Sequence, residues 1–173
     1  MNNVLKNSIR FVLFLLIQII ILNEVPPIHQ FITPYLYFTF LLWLPFGTNR
    51  LTLTVLGFIL GYCLDVFTNT PGLHAAACTL VGYIRPTILN LLLAQEASEE
   101  LTKEPSVGSM GWGPYLIYVL LLTFTHHFYL VLLEWLQFGN FGYFLGKVIA
   151  TSLMSVLLIF VVELLMNRRK LKR

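Results

Sequence analysis

The feature that most limits what this chain can fold into is a series of six apolar stretches, each close to the length of a membrane-spanning helix. A helix needs about 20 residues, with about 17 to 25 tolerated, to cross the hydrocarbon of a bilayer. The stretches are residues 8–22, 31–46, 51–67, 71–93, 114–138 and 143–166. The first two are short by strict apolar count, so four or five complete spans is the alternative.

Composition supports this interpretation. The chain is 57% hydrophobic and only 11% charged, far from the usual balance of a soluble domain. We therefore predict an all-α integral membrane protein, a compact bundle of six transmembrane helices that forms a single domain over residues 1–173.

The basic residues predict how the spans are oriented. With six spans both termini lie on the same side, and every Lys and Arg except Arg85 and Lys147 falls on that side. Cytoplasmic loops collect Lys and Arg, so this distribution predicts that both termini are cytoplasmic. The residues on that side are Lys6, Arg10, Arg50, Lys103, Arg168, Arg169, Lys170, Lys172 and Arg173.

Two segments leave alternatives open. The first apolar run could be mistaken for a secretory signal, but the residues that follow it, from Ile21 to Pro26, lack a small-x-small cleavage site, which predicts a retained span. Residues 94–113 form the one long loop, on the cytoplasmic side. We interpret this loop as a solvated linker, with a contact to a cytoplasmic partner as the alternative.

Asp65 lies in the last turn of the third predicted span, just before a polar turn. Thr70 followed by Pro71 matches a helix start, because the hydroxyl can cap free N–H groups and proline suits the first helical position. A carboxylate in the last turn of a helix is unfavourable unless it has a partner. Candidate donors are the Asn69 amide, the Thr68 and Thr70 hydroxyls and backbone N–H groups. We predict that Asp65 fastens the turn, which is compatible with the turn presenting the outer surface to a partner.

Four of the other charges within predicted spans indicate two ion pairs. Arg85 precedes Pro86, which predicts a kink or break there, and Glu163 lies near the same cytoplasmic surface as Arg85. Glu134 and Lys147 each lie about one turn from a tight outer loop, so the hairpin places them at equal depth. Intramembrane charges are functional suspects, but structural pairing is the favoured interpretation of both pairs.

Two further patterns predict helix packing. His126 and His127 are adjacent near mid-membrane, where their side chains point about 100° apart on a helix and no third ligand is evident, so interhelical hydrogen bonding is favoured over a metal site or a proton relay. The small-x-x-x-small patterns let helix backbones approach closely and predict internal packing. These patterns are Gly57 with Gly61 and Gly142 with Gly146.

The segment from Gly57 to Pro86 carries an ordered set of motifs. A G-x-x-x-D ends one helix at Asp65, a glycine-containing turn follows through Asn69 and Gly72, and a small-residue run then leads to Arg85–Pro86. In this order the motifs resemble the family of the rod shape-determining protein MreD. Outside this segment the resemblance rests on length, the six-span layout and the charge pattern.

The resemblance implies a function and partners. It implies a non-enzymatic, multi-pass subunit of the bacterial cell-elongation machinery in the inner (cytoplasmic) membrane, which helps to assemble peptidoglycan synthesis enzymes and to maintain cell shape. The implied partners are the bitopic shape protein MreC and, through it, the filament MreB, penicillin-binding protein 2 and RodA. The Asp65 to Gly72 turn would be the partner-presenting feature, and Arg85–Pro86 would set the helix geometry beneath it.

Catalysis and transport are the competing functional classes. No nucleophile with an adjacent base, metal motif or phosphate-binding loop is present, so we expect no catalytic residue, cofactor, metal or nucleic acid. The alternative function is the substrate-binding subunit of an energy-coupling-type vitamin transporter, whose overall fold the MreD family is thought to share. Shared fold does not transfer that function, and a small-molecule ligand is not expected. A transporter subunit should hold an outward-open pocket of convergent polar groups, whereas an assembly subunit should fill that region with side chains or give it to a partner.

Overall fold

A computed structural model describes residues 3–24, 32–93, 101–138 and 140–170, and these residues form helices and no strand. The elements are α1 (Asn3–Leu16), continued by a π-helical segment (Ile17–Leu22), α2 (Thr39–Leu42), α3 (Arg50–Thr68), α4 (Leu73–Leu92), α5 (Val107–Met110), α6 (Trp112–Phe138) and α7 (Phe141–Lys170). Five stretches among them are long and apolar enough to cross a membrane, namely Val4–Leu22, Arg50–Thr68, Leu73–Leu92, Trp112–Leu136 and Phe141–Leu165. The predicted all-α, multi-pass membrane protein is therefore supported, with five candidate membrane-spanning helices among the described residues in place of the predicted six.

The predicted second span, residues 31–46, is not a transmembrane helix. Residue 31 lies outside the described residues, residues 32–38 are not helical, and α2 has only 4 residues, far fewer than the roughly 20 that a crossing helix needs. From Tyr35 to Leu44, however, no residue is more than 8% exposed. This stretch, which we name the inner segment (residues 32–46), is apolar because it lies inside the bundle and not because it faces lipid.

The inner segment runs antiparallel to α1. The side chain of Gln18, late in the first helical stretch, contacts the backbone of Leu36, whereas the ring of Phe11, earlier in α1, packs edge-on against Phe40 at a centroid distance of 5.3 Å. At the last residue of the inner segment, the N–H of Phe46 donates to the carbonyl of Lys103 at 2.9 Å. The inner segment therefore returns the chain to the level at which α1 begins.

Contacts define two ends of the bundle. At the loop end, which contains residues 101–110, Glu104 binds the start of α1 through Lys6, and Tyr115 in the first turn of α6 contacts Glu163, late in α7. The hairpin end contains the α3–α4 turn and the α6–α7 turn at Asn140. The start of α1 and the last part of α7 thus lie at the same end. The predicted Lys172 and Arg173 of the basic tail, and residues 94–100 of the predicted loop, lie outside the described residues.

Close contact between α3 and α4 depends on three glycines. A Cβ added at Gly57, Gly61 or Gly82 would collide with the backbone carbonyl of Cys78, His74 or Leu53, respectively. The packing prediction for Gly57 and Gly61 is confirmed, and Gly82 completes the contact from the facing helix.

The second glycine pattern, Gly142 with Gly146, does not form a comparable close contact at Gly142. Gly142 is exposed, and an added Cβ would meet only the side-chain oxygen of Asn140, at 3.5 Å. The packing prediction for Gly142 is therefore wrong, because this glycine lies at the surface of the first turn of α7. Gly146, one turn further on, is half-buried.

Pro86 neither ends nor divides α4. The helix continues from Leu73 to Leu92 with Pro86 inside it, so of the predicted kink or break the break is wrong, while the kink stays a prediction. Proline removes one helical N–H donor, and the surrounding contacts of Arg85 and Leu89, both buried, hold the helix in place.

We expect Gly61→Ala to destabilise the protein and Gly142→Ala to leave it unchanged or slightly more stable. The first substitution forces α3 away from α4, and overpacking of this kind costs about 1–3 kcal/mol. The second adds a methyl group at an exposed helical position. Thermal unfolding of both purified variants in the same detergent measures the difference, and equal melting temperatures would contradict the close-contact interpretation.

Candidate functional site

Asp65 caps the helix that follows its own. The carboxylate is only 3% exposed, and its Oδ1 accepts from the Thr70 hydroxyl at 2.9 Å and from the His74 N–H at 3.0 Å. Its Oδ2 accepts from the Ala75 N–H at 2.9 Å. The first N–H groups of a helix have no partner within the helix, and Gly72, which precedes α4, has no side chain to offer them. The prediction that Asp65 fastens the turn is confirmed.

The turn itself differs in detail from the prediction. The helix starts at Leu73 and not at Pro71, and the Thr70 hydroxyl binds Asp65 instead of capping the backbone. Asn69 and Gly72 both adopt the left-handed conformation, with φ of 53° and 85°. The backbone N–H of Asn69 donates to the backbone carbonyl of Asp65, and the side chain of Asn69 is exposed. Glycine and asparagine tolerate this conformation best, so both residues suit a sharp return between two helices.

A chain of hydrogen bonds crosses the bundle interior beneath this turn. The Tyr37 hydroxyl lies 2.8 Å from His74 Nδ1 and 2.8 Å from His126 Nε2. The Nδ1 atoms of His126 and His127 are 3.5 Å apart, and His127 Nε2 lies 2.9 Å from the Ser155 hydroxyl. None of these five side chains is more than 3% exposed. This histidine chain ties the inner segment to α4, α6 and α7.

The histidine chain matches the predicted use of His126 and His127 in interhelical hydrogen bonding. No group of three or more His, Cys, Asp or Glu side chains that could hold a metal is found among the described residues. Sequence reasoning did not identify Tyr37 or His74 as members. Both occur in apolar runs, and only the placement of the inner segment brings them to the histidine pair.

The non-helical part of the inner segment obtains its hydrogen bonds from a buried glutamine and a serine. Gln18 Oε1 accepts from the Leu36 N–H at 2.8 Å, and Gln18 Nε2 donates to the Pro34 carbonyl at 3.1 Å. Ser155 accepts from the Tyr35 N–H at 3.3 Å. Gln18 is fully buried, and its amide replaces the partner strand or helical turn that this backbone lacks.

Arg85 binds backbone carbonyls at the other end of the inner segment. Its Nη2 donates to the Leu44 carbonyl and its Nε to the Tyr118 hydroxyl at 2.9 Å, while Tyr118 donates to the Leu42 carbonyl at 2.8 Å. The last carbonyls of a helix have no partner within it and attract positive charge, so a cation suits the end of α2. Arg85 is fully buried in this position.

The predicted ion pair between Arg85 and Glu163 is therefore wrong. Glu163 accepts instead from the Tyr115 hydroxyl at 3.3 Å, and that hydroxyl accepts from the Trp43 indole at 3.0 Å. The physical reason is that carbonyl acceptors next to Arg85 exist only because α2 is short, whereas the prediction assumed one continuous helix there.

The predicted pair of Glu134 and Lys147 is present. Lys147 Nζ lies 2.5 Å from Glu134 Oε2, and the side chains are 13% and 28% exposed. The pair forms one wall of a cavity of about 530 Å³ at the hairpin end. Other lining residues are Leu73, Val131, Trp135, Asn140 and Tyr143.

A second ionic contact lies at the loop end. Lys6 Nζ and Arg10 Nη1 lie 2.6 and 2.7 Å from Glu104 Oε1, which fastens residues 101–110 to α1. Burial of the Glu104 carboxyl opposes its ionisation, but the hydrogen bonds from Lys6 and Arg10 outweigh this effect and hold the pKa of Glu104 below its ordinary value of 4.5. Sequence reasoning did not identify this contact, because nothing in the loop specifies which helix it meets.

Comparisons of the chain with protein-family models, with curated proteins and with solved structures find no match.

We expect Asp65→Ala to lower the melting temperature, and Asp65→Asn to lower it less. Alanine removes all three acceptor contacts at the start of α4, and loss of a helix cap typically costs about 0.5–2 kcal/mol. Asparagine keeps one oxygen acceptor of nearly the same shape. Thermal unfolding in detergent measures the order, and an alanine variant as stable as the original chain would contradict the capping role.

The contact of Glu104 predicts a pH dependence with a definite sign. The pKa of Glu104 is lower in the folded than in the unfolded chain, so its stabilisation is complete above the ordinary value of 4.5 and is lost as pH falls through the folded value. We expect the melting temperature to fall over that acid range, and to fall less in Glu104→Gln. Identical profiles for the two proteins would contradict this assignment.

Proposed function

We propose that this chain is a non-enzymatic subunit of the bacterial cell-elongation machinery, located in the inner membrane, where it holds other membrane proteins in one assembly. The observation that carries the proposal is the α3–α4 unit. The motifs of the MreD family resemblance, from Gly57 through Asp65 to Arg85, all contribute to it, because the glycines bring the helices together, the aspartate caps the return and the arginine fastens the inner segment beneath.

The way in which buried polar groups are used supports an assembly role. The histidine chain, Gln18 and Arg85 bind backbone groups or other buried side chains, so the hydrogen bonds that they make fix the shape of the bundle. Below the Asp65 turn, the interior is filled by Tyr37, His74 and His126, each at most 3% exposed. Filling of this region by side chains is what an assembly subunit, rather than a transporter subunit, requires.

The proposed orientation places the loop end in the cytoplasm. Lys6, Arg10 and Arg50 lie at or next to this end, and Lys103 lies in the loop itself. Short cytoplasmic loops carry an excess of Lys and Arg, so this distribution supports the assignment. The α3–α4 turn would then face the outside of the inner membrane.

The proposed contact surface is the exposed face of α3. Phe58 and Tyr62 stack on each other with centroids 5.9 Å apart and are 52% and 56% exposed, and Phe67 near the turn is 63% exposed. Large aromatic side chains give extensive contact area between helices. We propose that this face, together with Asn69 and Gly72 of the turn, packs against the single span of MreC, through which the chain would reach MreB, penicillin-binding protein 2 and RodA.

A capture experiment tests this proposal. We expect MreC to co-purify with the tagged chain from gently solubilised membranes, and Phe58→Ala/Tyr62→Ala to reduce its recovery severalfold. Phe124→Ala/Phe128→Ala is the matched control, because it removes another stacked and exposed aromatic pair, 49% and 39% exposed, from α6. Recovery lowered equally by both variants would contradict the α3 face, and absence of MreC from preparations of the original chain would contradict the proposed function.

The hairpin-end cavity favours a second candidate function, that of the substrate-binding subunit of an energy-coupling-type vitamin transporter. Its volume of about 530 Å³ lies within the usual range of small-molecule sites, and charged, amide and aromatic side chains meet there. Against this reading, Glu134 and Lys147 already neutralise each other across 2.5 Å. Native mass spectrometry of the captured protein separates the two functions, because a co-purifying vitamin would support transport.

A further inference from the structure

A second cavity, of about 410 Å³, lies at the loop end between α1, residues 43–45, residues 102–109 and α7. Three cationic side chains from two separate segments line it, namely Lys6, Arg10 and Lys103. The hydroxyl residues Ser106 and Ser109 line it as well. Amines, a guanidinium and hydroxyls in one concave surface are the donors that phosphate groups bind.

The described charges in and behind this cavity sum to a positive value. Among the described residues that line it are the carboxylates Glu104 and Glu163, one fewer than the three cations, and the buried Arg85 lies just behind its Pro45 wall, 3.5 Å from that carbonyl. The hydrogen bonds of Arg85 go to carbonyl and hydroxyl oxygens and not to a carboxylate. The field in the cavity therefore favours an anion.

Glu104 leaves N–H donors of Lys6 and Arg10 available for another acceptor. It contacts both Lys6 and Arg10 through the single oxygen Oε1. An ammonium group has three N–H donors and a guanidinium has five, so most of their donors stay available for a second acceptor. The Glu104 carboxylate thus brings the two cations together at the cavity wall.

The position of the cations on α1 points to a membrane source for the anion. Lys6 and Arg10 lie along one edge of the apolar stripe of α1, next to Ile9 and Leu13, which are 51% and 52% exposed. On the opposite side of the two cations is Phe14, which is 5% exposed and packed in the core. A headgroup in the cavity would therefore have an exposed apolar surface beside it for its acyl chains. Basic pockets between spans at the cytoplasmic surface are known sites for anionic headgroups.

We propose that the loop-end cavity binds a phosphate group, and that an anionic phospholipid headgroup supplies it. Lys6, Arg10 and Lys103 would contact the phosphate oxygens, and Ser106 would add a hydroxyl donor, whereas the Ser109 hydroxyl already donates to the Glu104 carbonyl at 2.8 Å. This inference goes beyond the proposed function, since it requires no protein partner, and it rests on that proposal only for the position of the loop end at the cytoplasmic surface.

The test measures thermal unfolding of the purified full-length chain in a neutral detergent with three probes. The probes are short-chain phosphatidylglycerol, phosphatidylcholine of the same chain length, and sodium phosphate. We expect a saturable rise in melting temperature with phosphatidylglycerol and a much smaller rise with the other two. We expect Lys6→Gln to weaken the apparent affinity for phosphatidylglycerol about tenfold, as loss of one charged hydrogen bond does.

Arg50→Gln is the matched control, because Arg50 is a cation at the same end that donates to Thr87 and does not line the cavity. It should leave the affinity unchanged. Lys103→Gln gives a second test that leaves the bonds of Glu104 to α1 intact. An equal response to sodium phosphate would support the phosphate site and overturn the lipid source. Absence of any phosphatidylglycerol response, or equal weakening by Arg50→Gln, would overturn the site.

Discussion

The need to satisfy backbone hydrogen bonds away from water governs this structure. Inside a membrane bundle, a non-helical backbone is tolerated only where protein groups satisfy its N–H and C=O groups. The inner segment is such a backbone, and its partners come from four different places in the sequence. Gln18 and Ser155 bind its first part, and Arg85 and Tyr118 bind the carbonyls at its end.

This requirement explains why residues that look functional are structural. An arginine, a glutamine and two histidines within apolar runs would ordinarily indicate an ion path or a reactive centre. Here each of these side chains binds specific partners, which belong mainly to the inner segment, although the buried Nη1 of Arg85 has none. The same logic applies at Asp65, where a buried carboxylate serves three donors of the following turn and helix. What remains for function lies at the two ends of the bundle and on its exposed faces.

Sequence reasoning predicted several local features correctly, although the predictions of packing at Gly142 and of a break at Pro86 were wrong. The pair of Glu134 and Lys147 follows from equal distances to a tight turn, and the role of Asp65 follows from a turn rich in N–H and hydroxyl donors. The close contact at Gly57 and Gly61 follows from their spacing. These features depend on residues near one another in the chain or on adjacent helices.

The features that sequence reasoning missed depend on long-range packing. Apolar content cannot distinguish a helix that faces lipid from a segment buried among helices, so residues 31–46 were assigned as a span. The wrong prediction of Glu163 as the partner of Arg85 has the same cause, since the carbonyls that Arg85 binds are available only where α2 ends. Tyr37 and His74 join the histidine chain from positions 37 residues apart, a separation that no local pattern reveals.

The side chains that bind the backbone of the inner segment lie far apart in the sequence, and this has a consequence for biogenesis. Of the four described side chains that bind its backbone, only Gln18 is synthesised before it, whereas Arg85, Tyr118 and Ser155 leave the ribosome later. An unsatisfied backbone group in hydrocarbon costs several kcal/mol, so the segment cannot settle at membrane depth when it first emerges. Its final docking must wait until the last helix is inserted, which makes it a late step in the assembly of the protein despite its early place in the chain.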